Sequence, residues 1–177
     1  MWDFVGPGAL FGMERRGKAA FSGTNVFQGT TLHTLDAKGR LAVPARHREA
    51  FAADAAAEDG SAGLVLTRHP DGCLVLYPLS VWEERRRRLM RLPHSARALV
   101  RLVLGGAVEL RFDAAGRILI PSDLRTLAGL ERDCVLVGLG EHLELWSEPV
   151  WRKNEAEALA RSEEHTSELQ SPYDLVC

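Results

Sequence analysis

From Val26 onward the chain alternates short apolar runs with turn residues at close spacing, a pattern of short strands with a few interspersed helices. TTLHTL before Asp36 and RLAV after Gly39 have strand character, and the DAKG between them is hairpin chemistry. In Asp-x-x-Gly-Arg, the Asp side chain can accept backbone N–H bonds of its own turn, the Gly supplies a positive φ, and the Arg leaves on the outgoing strand. Pro44 then stops the strand and suits the first turn of a helix over ARHREAFAA. LVLTRHPDGCLVLYP predicts a second hairpin, turning at His69-Pro70-Asp71-Gly72. Ser80-Val81-Trp82-Glu83 reads as a capping box opening a helix that carries Arg85 to Arg88, with Leu89, Met90 and Leu92 on its apolar face. Pro93 separates this helix from HSARALVRLVL, which ends at Gly105-Gly106.

The same pattern then returns. LDAKGRLAVPARHRE (Leu35 to Glu49) recurs as FDAAGRILIPSDLRT (Phe112 to Thr126) at an offset of 77 residues. CLVLYPLSVW (Cys73 to Trp82) recurs as HLELWSEPVW (His142 to Trp151) at an offset of 69. Two blocks in the same order indicate an internal duplication, and most of the length difference falls in FAADAAAEDGSAG, whose Ala, Asp and Gly suit a loop of variable length. In copy two, Pro121 precedes SDLRTLAGL, Gly129 suits that helix's C′ cap, and VLVGLGEHLELW turns around Gly140. Trp82 and Trp151 occupy equivalent places just inside helix starts and read as core anchors. The resulting division is a first repeat at 26–80, linking helices at 81–106, a second repeat at 107–151 and the end of a C-terminal helix at 152–160.

The two ends differ from this body. Residues 1–25 carry five glycines without periodicity and read as a loose leader. Residues 161–177, RSEEHTSELQSPYDLVC, interrupt a helical pattern with a polar run and resemble the translation of a short-read sequencing adapter. On this reading the native protein spans 26–160.

Composition narrows the class. With 46% hydrophobic and 26% charged residues, the chain is neither collagen-like, nor a disulfide mini-scaffold, nor wholly disordered. No apolar stretch approaches the roughly 18–20 residues of a membrane span, and the early basic cluster follows the apolar part instead of preceding it as in a signal peptide. A cytoplasmic location is expected. Cys73, Cys134 and Cys177 are far apart and lack zinc-site spacing, so no disulfide framework, metal or cofactor is expected. The formal charge of −2 excludes a protein that coats nucleic acid by bulk charge. Residues 26–160 nevertheless contain 16 Arg against two Lys, and Lys38, Arg40, Arg46, His47 and Arg48 cluster in copy one. Arg forks bind phosphate and guanine edges, and a two-stranded ribbon is one of the shapes the DNA major groove admits. An ion pair with the turn Asp is the competing role for each of these arginines. Arg85 to Arg88 lie round a whole helical turn and read as solvated surface or the edge of a subunit contact.

Asp36 and Asp113 could also form a carboxylate dyad. Their place in a hairpin turn, each with an Arg four residues on and no nucleophile or base at a motif spacing, fits a turn role better. No GxxxxGK[ST], GxGxxG, GxSxG or HExxH motif is present.

VFQGTTLHTLDAKGRLAVPARHRE, LVLTRHPDGCLVLYPLSVWE, LVRLVLGGAVELRFDAAGRILIPSDLR and VLVGLGEHLELW together closely resemble the MraZ family, bacterial transcriptional regulators of the division and cell wall gene cluster. The resemblance covers nearly all of residues 26–151 and rests on the duplicated DxxxR motif and the TRHPDGCL-YP block. It implies a β-rich α+β fold in which two tandem AbrB/SpoVT-like swapped-hairpin units form one intertwined, pseudo-symmetric barrel with added helices. It also implies sequence-specific binding of double-stranded DNA at short direct repeats in the promoter of the protein's own operon. A ring-shaped homo-oligomer, nucleoid association, no enzymatic activity, no membrane and no small-molecule substrate belong to the same expectation. Family members begin Met-Phe-x-Gly, so Val26-Phe27-Gln28-Gly29 matches a start at Val26. Carried over, Asp36, Lys38, Gly39 and Arg40 would form one DNA-facing turn, and Asp113, Gly116 and Arg117 the other. Lys38, Arg40, Arg46, Arg48, Arg117 and Arg125 are the candidate DNA-binding residues, with copy one supplying most contacts because copy two has Ala115 for Lys38 and SDLR for ARHR. Two alternatives stand beside this reading: an AbrB-type regulator acting mainly through a protein partner, and an Asp-dependent hydrolase using Asp36 and Asp113.

Overall fold

The computed structural model describes residues 27–54 and 63–168; the leader, Val26, most of the Ala/Asp/Gly loop and the last nine residues lie outside this range. Copy one contributes β1 (Phe27–Thr34), β2 (Arg40–Ala42), α1 (Ala45–Ala53), β3 (Gly63–Arg68), β4 (Leu74–Pro78) and α2 (Leu79–Met90). A 3₁₀ turn (His94–Ala96) and α3 (Arg97–Gly105) lead into copy two. There β5 (Val108–Arg111), β6 (Arg117–Leu119), α4 (Ser122–Leu127), β7 (Asp133–Gly140), β8 (Leu143–Ser147) and α5 (Glu148–Glu168) repeat the order. The fold is mixed and strand-rich, as expected.

The strands pair across the duplication. The six-stranded antiparallel sheet has the order β1-β7-β8-β4-β3-β5, and β2 pairs with β6 in a separate ribbon. β1 of copy one therefore lies on β7 of copy two, while β5 of copy two lies on β3 of copy one. β4 and β8, equivalent strands, meet at the centre. The expected pairing of TTLHTL with RLAV is thus corrected. The DAKG turn forms, but only Leu35 and Leu41 bridge before the two strands part to partners in the other copy. Among the described residues the sheet is open, with β1 and β5 as its edges.

Period-2 alternation buries both faces of the sheet. Leu64, Leu66, Leu74, Leu76, Leu136, Leu143 and Leu145 point to a first core shared with Leu41, Val43, Ile118 and Ile120 of the ribbon region and with Phe51 and Leu124 of α1 and α4. Val65, Val75, Tyr77, Val135, Val137 and Trp146 point the other way, to a core closed by Trp82, Leu89 and Val103. Trp82 is buried as expected, and Trp151 is half-buried with its ring 6.0 Å from that of Trp146. Met90 and Leu92 are exposed, so Leu89 alone of the expected trio anchors α2. Cys73 and Cys134 are buried and free.

Helix entry is also partly corrected. Pro44, Pro78 and Pro121 occupy the N-cap positions of α1, α2 and α4, each with φ near −55°, instead of the first helical residue. The capping box at Ser80 does not form, because α2 begins at Leu79 and Ser80 is already inside it. The Asp54 carboxylate at the end of α1 takes that role, accepting the Ser80 backbone N–H at 2.9 Å and the Ser80 hydroxyl. Glu83 pairs with Arg86 instead. At the C-terminal end, α5 is continuous to Glu168, past the residue 160 limit expected from the sequence. No helix among the described residues is long and apolar enough to cross a membrane.

The ribbon gives a direct stability test. Leu41 and Ile118 face each other fully buried in the β2–β6 register, whereas Leu119 beside them is 54% exposed. Leu41→Ala or Ile118→Ala is expected to cost about 2–5 kcal/mol in urea unfolding and Leu119→Ala less than about 0.5 kcal/mol.

Candidate nucleic-acid interface

Each Asp-x-x-Gly-Arg segment closes a turn with the same bonds. In copy one Gly39 N–H donates to the Asp36 carbonyl at 2.8 Å and Asp36 N–H to the Arg40 carbonyl at 3.0 Å. Asp36 Oδ1 accepts the Lys38 and Arg40 backbone N–H groups, both at 2.9 Å, and Oδ2 accepts Arg40 Nε at 2.6 Å. In copy two Asp113 Oδ1 accepts Ala115 and Arg117 N–H at 2.9 Å and Oδ2 accepts Arg117 Nε at 2.8 Å. Gly39 and Gly116 take φ of 78° and 73°, which an L side chain resists. The Arg40 backbone N–H, with the Arg40 guanidinium and Lys38 N–H behind it, holds the Asp36 carboxyl at about 2. Asp113 is likewise lowered, first by the Arg117 backbone N–H and then by its guanidinium. These carboxylates are ionised turn acceptors with their oxygens engaged, which is the turn role in place of a catalytic dyad.

β2–β6 pairing links the two turns through one short ribbon, with a turn at each end. Val43 N–H reaches the Gly116 carbonyl at 3.2 Å and Ile120 N–H the Gly39 carbonyl at 3.0 Å, so each turn is tied to the strand leaving the other. Arg117 Nη1 also comes within 4.0 Å of Asp36 Oδ2. The turn arginines therefore take the ion-pair role weighed above, while their side chains remain about a third exposed.

Arg48 and Arg125, equivalent residues on α1 and α4, cross to the opposite copy. A methyl group at Gly39 would lie 2.5 Å from the Arg125 guanidinium carbon, and one at Gly116 would collide with Arg48. Each arginine covers the other copy's turn, with a buried Nε that has no hydrogen-bond partner among the described residues. Both residues stand out in the sequence as a repeated Arg, but a shared offset carries no information about which copy a side chain reaches. Lys38 is exposed at the tip of its turn. Arg46 is exposed on α1, its guanidinium 3.7 Å from a methyl built on Gly29 and its Nε 3.3 Å from His47 Nε2. His47 leaves the basic cluster: it is buried, its ring 5.7 Å from that of Phe27, and burial followed by the Arg46 charge lowers it to about 4.

A duplicated chain that exchanges strands between its halves, and presents a symmetric pair of arginine-bearing turns, defines a tandem-repeat protein with an exchanged sheet. A family model described as "MraZ protein, putative antitoxin-like" matches residues 26–102 and again 103–171, one match to each half. The Bordetella pertussis protein named "Transcriptional regulator MraZ" is 48% identical over 136 residues, covering 77% of this chain and 92% of that protein. Proteins of the same name from Herminiimonas arsenicoxydans and an Acidovorax species are 47% and 45% identical, each across 76% of this chain and 92% and 91% of their own lengths. The chain belongs to the MraZ family of transcriptional regulators and is not an enzyme.

Two outcomes check the site. Gly39→Ala and Gly116→Ala are each expected to destabilise the protein by about 1–3 kcal/mol in chemical denaturation, since each combines positive φ with a guanidinium in the way. Because His47 is harder to protonate folded than unfolded, its contribution is complete above pH 6.5 and is lost as the pH falls towards 4. His47→Gln is expected to flatten that part of a stability-versus-pH curve.

Proposed function

We propose that the chain binds double-stranded DNA sequence-specifically through the paired turns, at short direct repeats in the promoter of its own division and cell wall operon. The observation that carries this reading is the juxtaposition of Arg40 and Arg117, each oriented by its turn Asp, with Arg48 and Arg125 laid across from the opposite copies. Arg forks on a narrow two-stranded ribbon match the major groove in width and donor geometry. Each half is read as an AbrB/SpoVT-like unit whose hairpin is exchanged with its twin, consistent with the β1–β7 and β5–β3 pairings. The protein assembles as a ring-shaped homo-oligomer in the cytoplasm, associated with the nucleoid. A ring multiplies modest affinity per subunit when repeat spacing matches subunit geometry, which lets a chain of formal charge −2 bind selectively.

Copy one supplies most contacts, because Lys38 and Arg46 are exposed there while the equivalent positions in copy two are Ala115 and Asp123. Mobility-shift titration against the protein's own upstream DNA, with a scrambled competitor and a salt series, tests both parts. Arg40→Ala is expected to cost about 1–3 kcal/mol on the cognate site and more than Arg117→Ala, while Lys38→Ala flattens the salt slope by roughly one. Equal losses at Arg40 and Arg117 would overturn the asymmetry, and absence of sequence preference at physiological salt would overturn the DNA reading.

A further inference from the structure

A cavity of about 200 Å³ lies where the β3–β4 turn meets α3 and the end of α4. Its walls are Leu74, Leu102, Leu127 and Ala128 with Pro70 and Cys73, and its charged lining is Arg68, with His69 beside it. Arg68 is half-buried, and its Nε is shielded from solvent with no hydrogen-bond partner among the described residues. The acid nearest in the turn, Asp71, sits 3.4 Å from His69 Nδ1 and makes no pair with Arg68. The guanidinium is also pressed across Gly106, where a methyl group would lie 2.9 Å from Nε and 3.0 Å from the Leu102 carbonyl. A buried guanidinium Nε left without a partner among the described residues, beside an apolar recess, is an unused donor, since buried polar groups are ordinarily hydrogen-bonded.

We propose that this cavity binds a small monocarboxylate with an apolar or aromatic body, its carboxylate on Arg68 and its body between Leu74, Leu102 and Leu127. An enclosed space of about 150 Å³ already accepts benzene, so a cavity of this size takes a ring or branched chain bearing a carboxylate. One arginine against aliphatic walls suits a single negative charge; a phosphate dianion would find Arg68 as the one permanent cation in the lining. The site also has a route to the paired turns. Leu127 and Ala128 close α4, the helix whose Arg125 covers the Gly39 turn. A ligand bridging α3 and α4 therefore biases the placement of Arg125, and this coupling, unlike the binding itself, rests on the DNA reading.

The full-length protein, titrated with sodium benzoate and sodium 3-methylbutanoate and followed by amide NMR shifts, tests the site. Saturable shifts centred on Gly72, Cys73, Leu127 and Ala128 are expected, with neither benzamide nor inorganic phosphate reproducing them. Arg68→Met should weaken binding about tenfold or more, the loss of a charge-assisted pair. Leu127→Trp, at a position 58% exposed and therefore tolerant of substitution, should block the cavity and carries the test where Arg68→Met does not fold. No saturable shift with either carboxylate, or unchanged affinity in both variants, overturns the site. Saturating benzoate should also change affinity for the upstream DNA by the same factor as DNA changes affinity for benzoate. Carboxylate binding with unaltered DNA affinity overturns the coupling, whereas failure of the ligand-free protein to bind DNA counts against the DNA reading.

Discussion

β2 and β6 have three residues each, too few to hold an isolated ribbon, and the placement of both Asp-x-x-Gly-Arg turns depends on their pairing. The pairing survives because Leu41 and Ile118 insert fully into the first core and because Val43 and Ile120 extend it by one bond to each opposite turn. With those bonds in place, Gly39 and Gly116 sit at opposite ends of the ribbon, each against the strand leaving the other turn, and the helices that follow drop Arg125 onto Gly39 and Arg48 onto Gly116. Without them the Asp-x-x-Gly-Arg turns would be two separate loops on opposite halves of the chain.

Strand exchange has a second consequence. β1 and β5 reach across to β7 and β3, so neither half keeps a complete sheet of its own. The cost of assembling such long-range pairs is met by burying both faces of β3, β4 and β7, whose alternating side chains feed one core with the ribbon and another with the helices. The Asp-x-x-Gly-Arg turns thus sit on the layer with the least secondary structure of its own, over the buried face of the sheet.

Local chemistry was legible from the residues. The Asp36 and Asp113 turns form as their Asp, Gly and Arg positions dictate, α1 spans the expected ARHREAFAA, and Gly129 caps α4 with φ of 60°. Partner choice was not legible, because period-2 alternation says which face of a strand is buried and nothing about which strand lies beside it. The same limit hid the capping of α2, where a carboxylate from α1 displaced the local Ser80 box, and the burial of His47, whose neighbours in sequence are arginines while its neighbour in space is Phe27. Arg48 and Arg125 were visible as repeated residues, yet their reach into the opposite copy exists only in three dimensions.

On the proposed DNA reading, the two turns act as one surface because each is completed by the other copy's arginine. A double-mutant cycle on DNA affinity measures this directly, pairing Lys38→Ala with Arg125→Ala across the copies and with Arg48→Ala within copy one. A coupling energy above about 0.5 kcal/mol is expected for Lys38 with Arg125, larger than for Lys38 with Arg48. Additive losses for Lys38 and Arg125, together with strong coupling of Lys38 to Arg48, would mean that each copy reads DNA by itself and would contradict it.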